Sequence, residues 1–388
     1  MEKTMAKRIL RTKLCDMLGI DYPILSAGMG PSLVGEETGA TVELVVAVSE
    51  AGGMGVLGAA GFTVEDMQEK IRDIKKQTDK PFGVDLLLPS NIVEAGDQSF
   101  REGGEVPLTE IIKSLPKAHY EFILNLKEEM RLPDIEATYP EGSTVTRPHA
   151  AVRICIEEKV PLFCAGLGNP GFMVEDAHKA GMKVLGIAGN TKNVRRIAES
   201  GADLVVAQGH EGGGHTGRVG SMALWPLAVD IAAPTPLLAA GGIGDGRGLV
   251  AALATGCIGV WVGTRFLASE EGGALPIQKE NIVKATDEDT RRTYLYTGKT
   301  SRAIHNEMHE LWERSGLEAL PFPQQVMFAS ALAEMFNRAE MKAYMGPFSG
   351  QVSGLIDEIK PAAKIVEEMV EQAADILARK LPQEVVVK

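Results

Sequence analysis

The chain has 388 residues and a formal net charge of -12, which argues against a nucleic-acid partner and against an anionic membrane surface. Hydrophobic residues are 45% and charged residues 24%, an ordinary globular balance, so the length fits either two domains or one α/β barrel with insertions. The 43 glycines beside only 5% aromatics suit a protein built of close strand-to-loop turns.

Residues 1–18 carry scattered charges and no uninterrupted apolar stretch, unlike a signal peptide. No run reaches the ~18 apolar residues of a membrane span. The four cysteines, Cys15, Cys155, Cys164 and Cys257, form no CxxC pair and sit in or near apolar runs. The expectation is a cytoplasmic protein with small buried thiols.

The first apolar run, residues 23–28, reads as a strand followed by a tight loop through Ala27, Gly28 and Met29. A helical spacing covers 42–51 and a second strand 53–59. Thr63 caps a helix to Lys76, with Glu65 and Asp66 in its first turn. Residues 81–88 form a third strand with one polar interruption, Asp85, near its end. The rhythm then breaks. Residues 89–147 are long, polar and charged, with one helix-like piece at 108–130, and read as an insertion partly covering the top of the fold. Strands resume at 160–165, 183–188, 202–206, 236–240 and 258–262, each followed by a glycine-bearing loop and nearly all by a helix. Pro361 opens a last helix to 381, with Ile365, Val366, Met369, Val370, Ala373, Ile376 and Leu377 on one apolar face.

About eight short, fully apolar strands with helices between them predict a parallel sheet buried on both faces, and so a (β/α)₈ barrel. An open doubly wound sheet is the rival and usually has fewer strands. The barrel is assigned to residues 8–268 plus 350–388, with 89–147 inserted after the third strand. Residues 269–349 lose the strand pattern and read as a helical subdomain over the mouth.

The loop after the sixth strand holds the densest chemistry: Ala207-Gln208-Gly209-His210-Glu211-Gly212-Gly213-Gly214-His215-Thr216-Gly217. Glycines let the backbone approach a flat ligand. Gln208 is both donor and acceptor for a polar ring edge. His215 is the candidate for proton transfer, since imidazole titrates near neutrality. His210 stands between a supporting role and solvent, and Glu211 reads as the partner of a neighbouring basic group. His119, His149, His178, His305 and His309 read as surface or packing residues. Gly241-Gly242 and Gly263-Thr264 follow the seventh and eighth strands, where barrels frequently grip a phosphate. A flat phosphorylated cofactor across the mouth follows, with Asp85 either reaching its ring or hydrogen-bonded at the strand end. A metal site is disfavoured, because His210 and His215 have no clustered Cys or further His. No G-x-S-x-G elbow occurs.

The segments AQGHEGGGHTG, AAGGIGDGRG, VGTRFLASE, SAGMG and EAGGMGVLG resemble the nitronate monooxygenase family, once called 2-nitropropane dioxygenases. These are FMN-dependent barrels related to FMN-dependent enoyl-ACP reductases and NADH:quinone reductases. The resemblance implies FMN contacts at Ala27, Gly28, Met29, Gln208, Gly213, Gly242, Trp261, Val262, Gly263 and Thr264. Asp85, Gly214 and Gly241 complete the candidate set beside them. It makes His215 the catalytic histidine. The family's usual residue at the third strand is Asn, where this chain has Asp85. The activity implied is oxidation of an alkyl nitronate with O2 to a carbonyl compound and nitrite, His215 fixing the nitro group and deprotonating a neutral nitroalkane. An NAD(P)H-dependent flavin reductase acting on a quinone or enoyl thioester, and a non-enzymatic flavin-binding module, are the alternatives. The oligomeric state stays open.

Overall fold

A computed structural model describes residues 10–30, 38–97 and 104–386. Residues 8–9, 31–37 and 387–388 of the expected barrel and 98–103 of the insertion lie outside the described residues, as does the first half of the stretch read against a signal peptide.

Eight parallel strands carry the fold: β1 (Ile24–Ser26), β2 (Val56–Gly58), β3 (Gly83–Leu87), β4 (Leu162–Gly166), β5 (Lys183–Ala188), β6 (Leu204–Gln208), β7 (Leu237–Ala240) and β8 (Gly259–Val262). They pair in the order β1-β8-β7-β6-β5-β4-β3-β2. The two ends of that order meet: Leu25 bridges Met54, and the Met54 N–H donates to the Ile24 carbonyl at 3.0 Å. The sheet is therefore a nearly closed (β/α)₈ barrel.

Alternation along each strand separates two cores. Leu25, Leu162, Cys164, Leu185, Leu204, Val206, Leu238 and Trp261 point inward, together with Leu14, Cys15 and Leu18 from the helix Lys13–Leu18. Ile24, Leu57, Val84, Phe163, Val205, Ala239 and Val260 point outward against the helices. Both sets are buried, which is why the strands read as unbroken apolar runs. Asp85 follows outward-facing Val84, so it falls on the inward side, level with Gly58 and Cys164. The helix Ala362–Asp375 docks through Ile365, Val366, Met369, Val370 and Ala373 on the outer core. The helical run continues through a wider π turn at Ile376–Lys380 into Leu381–Glu384, past the expected end at 381, although Leu377 is exposed rather than docked.

A separate core lies over the mouth. Leu108, Ile112, Ile123 and Leu126 of the insertion pack with Leu295, Tyr296, Phe328, Leu332, Met335 and Phe336 from the later segment. The expected single helix over 108–130 is two, Leu108–Ile112 and Lys117–Met130, with Pro116 at the break. A proline donates no backbone hydrogen bond and cannot continue a helix at that point.

The later segment is not purely helical, a correction to the sequence reading. Strands Thr290–Thr293 and Ser301–Ile304 form an antiparallel pair. Their third member is Gly214–His215 from the loop after β6, with Ser301 opposite His215. Four-residue strands such as Thr-Arg-Arg-Thr carry no apolar alternation, and the partner of the second lies over 80 residues upstream. Among the described residues, no helix is long and apolar enough to cross a membrane.

Candidate active site

A cavity of roughly 1610 Å³ opens at the C-terminal ends of the strands. That exceeds the ~300–1,000 Å³ of a single small-ligand pocket, so it has room for a cofactor and a substrate together. The barrel supplies one wall, and Tyr296, Thr297, Lys299, Phe322 and Met327 supply part of the other.

Of the residues singled out from sequence, Ala27, Gly28, Met29, Asp85, Gln208, Gly213, Gly214, His215, Gly241, Gly242, Trp261, Gly263 and Thr264 line this cavity. Val262 does not. Its side chain joins the outward core, and its carbonyl accepts the Ala27 N–H at 2.9 Å. Strand alternation sends Trp261 inward and Val262 outward.

The floor is shaped for close approach. A Cβ on Gly28 would fall 2.2 Å from the Asp85 Cβ, so only glycine fits beside that carboxyl. Gly241 and Gly242 have φ of 92° and 73°, the left-handed region in which glycine is strain-free. The backbone N–H groups of Gly242, Gly263 and Thr264 donate to no other group among the described residues. The Thr264 hydroxyl accepts the Gly350 N–H at 3.0 Å, tying the late segment to this corner.

Gln208 is partly spent within its own loop. Its Nε2 donates to the His215 carbonyl at 2.9 Å and the Gly213 carbonyl at 3.4 Å, which leaves the Oε1 for a ligand. Among the described residues Glu211 forms no ion pair with a basic group, contrary to expectation. Its carboxylate accepts the Ser221 N–H at 3.0 Å and the Ser221 hydroxyl at 2.8 Å, at the start of the helix Ser221–Ala232. Four orphan N–H groups and the positive dipole end make that helix start a stable seat for a carboxylate. His210 is held by Arg302, whose Nε donates to the His210 carbonyl at 3.0 Å, with its Nη2 3.3 Å from Nδ1.

Asp85 is 7% exposed, and its Oδ1 is buried without a hydrogen-bond partner among the described residues. The reading of a hydrogen-bonded strand-end carboxylate therefore fails. Burial pushes its carboxyl well above the ordinary carboxylate range, because nothing nearby compensates the charge. A buried orphan polar atom needs an explanation, and a ligand group opposite it is the economical one.

His215 Nε2 lies 2.9 Å from the Thr297 hydroxyl. Desolvation, then the positive charge of Lys299, pushes the imidazole down to about 4, so it is neutral at pH 7. Lys299 forms no ion pair among the described residues, and its Nζ sits 5.8 Å from the centre of the Phe322 ring. Thr297 and Lys299 were not found from sequence. They reach His215 only through the pairing of Gly214–His215 with Ser301–Ile304, for which no local pattern exists.

The remaining histidines lie off the cavity. His178 meets Asp203 at 2.8 Å, and His305 meets Glu310 at 2.7 Å. His119 Nε2 is 2.9 Å from the Glu318 carbonyl, and His149 Nε2 is 3.1 Å from that of Val93. His309 packs edge-on to Tyr296 and is pushed down to about 4 by burial. Among the described residues, no three His, Cys, Asp or Glu side chains gather as a metal site.

The corner thus offers open N–H donors suited to a phosphate, a buried carboxyl whose charged form is disfavoured, and a neutral imidazole beside a cation. The family model described as nitronate monooxygenase matches residues 11–372. A Mycobacterium tuberculosis protein with a monooxygenase name is 33% identical, covering 95% of this chain and 98% of that one. A Staphylococcus saprophyticus protein named "Probable nitronate monooxygenase" is 31% identical over 95% and 99% of the two chains. Among solved structures, FabK from Thermotoga maritima aligns with a TM-score of 0.72 and 31% identity over 97% of this chain and 100% of that one. Nitroalkane oxidase from Streptomyces ansochromogenes aligns with a TM-score of 0.76 and 26% identity over 94% and 99%.

Proposed function

The chain belongs to the nitronate monooxygenase family of oxidoreductases, and we propose that it holds FMN and oxidises alkyl nitronates with O2 to a carbonyl compound and nitrite. The observation that carries this reading is the single cavity in which the open N–H groups of Gly242, Gly263 and Thr264, the orphan Oδ1 of Asp85 and the imidazole of His215 converge. The residues fit the group. The N–H corner after β7 and β8 would hold the phosphate, and Gly28, Asp85 and Gln208 would meet the ring. FMN, when bound, supplies the electron acceptance and the reaction with dioxygen.

The chain's own residues bind the substrate and manage one proton. A neutral His215 accepts a proton rather than clamping an anion, which separates the two tasks that the sequence assigned to it. Deprotonation of a neutral nitroalkane falls to the imidazole, which takes the proton while the C–H electron pair moves into the nitronate. Attraction of the anionic nitro group falls to Lys299, a cation with no ion pair among the described residues, in a largely apolar wall. The segment 269–349 acts with the insertion as a lid that walls the substrate off from water.

The second reading, an NAD(P)H-dependent flavin reductase acting on a quinone or enoyl thioester, draws on the size of the cavity. Anaerobic stopped-flow separates the two. A nitronate should bleach the flavin rapidly, and NADH and NADPH should leave it oxidised. Rapid bleaching by NADH or NADPH with none by a nitronate overturns the proposal in favour of the reductase.

A further inference from the structure

The Thr297 hydroxyl stands at a junction of three groups. It is 2.9 Å from His215 Nε2, 3.2 Å from the Lys299 carbonyl and 3.3 Å from the Lys299 N–H. A hydroxyl has one proton to give and two lone pairs to fill. If it gives that proton to the imidazole, the Lys299 carbonyl loses the donor that faces it, and two bonds form. If it gives the proton to the Lys299 carbonyl, it accepts from both His215 Nε2–H and the Lys299 N–H, and three bonds form. Thr297 is 6% exposed, so no bulk water makes up the missing bond. The second arrangement is the more stable one.

We propose that Thr297 is a positioning residue that fixes His215 as the Nε2–H tautomer and leaves Nδ1 as the lone-pair nitrogen open to the cavity. No hydrogen bond to Nδ1 occurs among the described residues, and Nδ1 is not one of the sealed, unpartnered atoms. The ring is held from behind as well. Gln208 Nε2 donates to the His215 carbonyl at 2.9 Å, and Ser301 pairs opposite it across the strands. The charged group acting on the ring is Lys299, and it too favours the neutral form. Thr297 can accept from Nε2–H whether or not Nδ1 has taken a proton, so the contact survives proton transfer unchanged. The lid thereby does more than cover the mouth: it sets which nitrogen is the base.

The inference rests on His215 being the proton-handling residue, but its test does not require turnover. The protein, purified with its flavin and carrying ¹⁵N-labelled histidine, is examined by NMR at pH 7, with the His215 signals assigned by their loss in His215→Ala. The expected wild-type spectrum shows a protonated Nε2 and a pyridine-like Nδ1. Thr297→Val should mix or reverse the tautomers and lower kcat roughly tenfold, the scale of one lost hydrogen bond of this kind. Thr297→Ser, which keeps the hydroxyl, should restore both. A protonated Nδ1 in the wild type overturns the proposal, even if Thr297→Val fails to fold. So does an unchanged tautomer in Thr297→Val. A wild-type Nε2–H tautomer lost in Thr297→Val, combined with full turnover in His215→Ala, leaves the positioning role standing and removes the catalytic one.

Discussion

The barrel and the segments over its mouth meet in one cavity but are held together differently. The barrel is a repeated unit, in which each strand buries one set of side chains inward and the other against helices. The lid is a composite of two pieces far apart in the chain, joined by a core around Phe328, Leu332 and Phe336. The barrel supplies the backbone donors and the buried carboxyl. The lid supplies the hydroxyl and the cation that condition His215. A generic cofactor cradle and a particular proton chemistry can therefore vary separately, which fits a family in which the same barrel hosts different reactions.

The sharpest way to break that division is at the seam. His215→Ala should keep the flavin, because the cradle lies elsewhere, yet lower turnover about 10²–10⁴-fold, the usual scale for a positioned acid or base. His210→Ala should cost far less, since Arg302 holds that residue mainly through its backbone carbonyl. With His215 held near 4, the acid limb of the wild-type profile should lie well below the 6.5 of an ordinary histidine and vanish in the mutant. Near-normal turnover in His215→Ala contradicts the assignment.

The second test asks whether the lid has a stability of its own. Phe328 is fully buried, packing edge-on to His119 at 5.3 Å and Trp312 at 5.7 Å. Phe328→Ala should destabilise the lid by about 3–5 kcal/mol. Hydrogen exchange should rise over Lys117–Met130 and Gln324–Arg338 while the strands stay protected. Phe163→Ala, in the barrel, should loosen the whole molecule instead. If both variants loosen all regions equally, lid and barrel are one cooperative unit.

These two regions also differ in how far they could be read from sequence. The strands were legible because burial on both faces writes a continuous apolar run, and the glycine loops after β6, β7 and β8 stood out against it. That placed Gly28, Gln208, His215, Gly242 and Thr264 at one mouth before any contact was known. Val262 was misplaced because adjacent strand residues face opposite ways, and a run of four cannot be assigned to one face without the register. Thr297 and Lys299 were invisible, since their role comes from the pairing of Ser301 with His215 across 86 residues. Glu211 was misread because a carboxylate seated at a helix start looks, in sequence, like one awaiting a cation.

Asp85 gives the smallest effect, and it belongs to the barrel alone. Its folded-state carboxyl lies above the ordinary value, so the folded protein binds more protons than the unfolded chain as pH rises from about 4. The sign is therefore a stability present at low pH and lost as pH rises towards the folded-state value. Asp85→Asn in the flavin-free protein should raise stability at pH 8 and do so only slightly near pH 4, measured by urea unfolding. A gain that is constant with pH contradicts a carboxyl whose ionisation is penalised by burial.

The barrel's cofactor is the premise on which every role above depends. Heat release of the cofactor from the purified protein, followed by mass measurement of the supernatant, tests this directly. The N–H corner after β7 and β8 and the cradle at Gly28 predict non-covalent FMN. Recovery of FAD, or no flavin bound even after reconstitution, contradicts it.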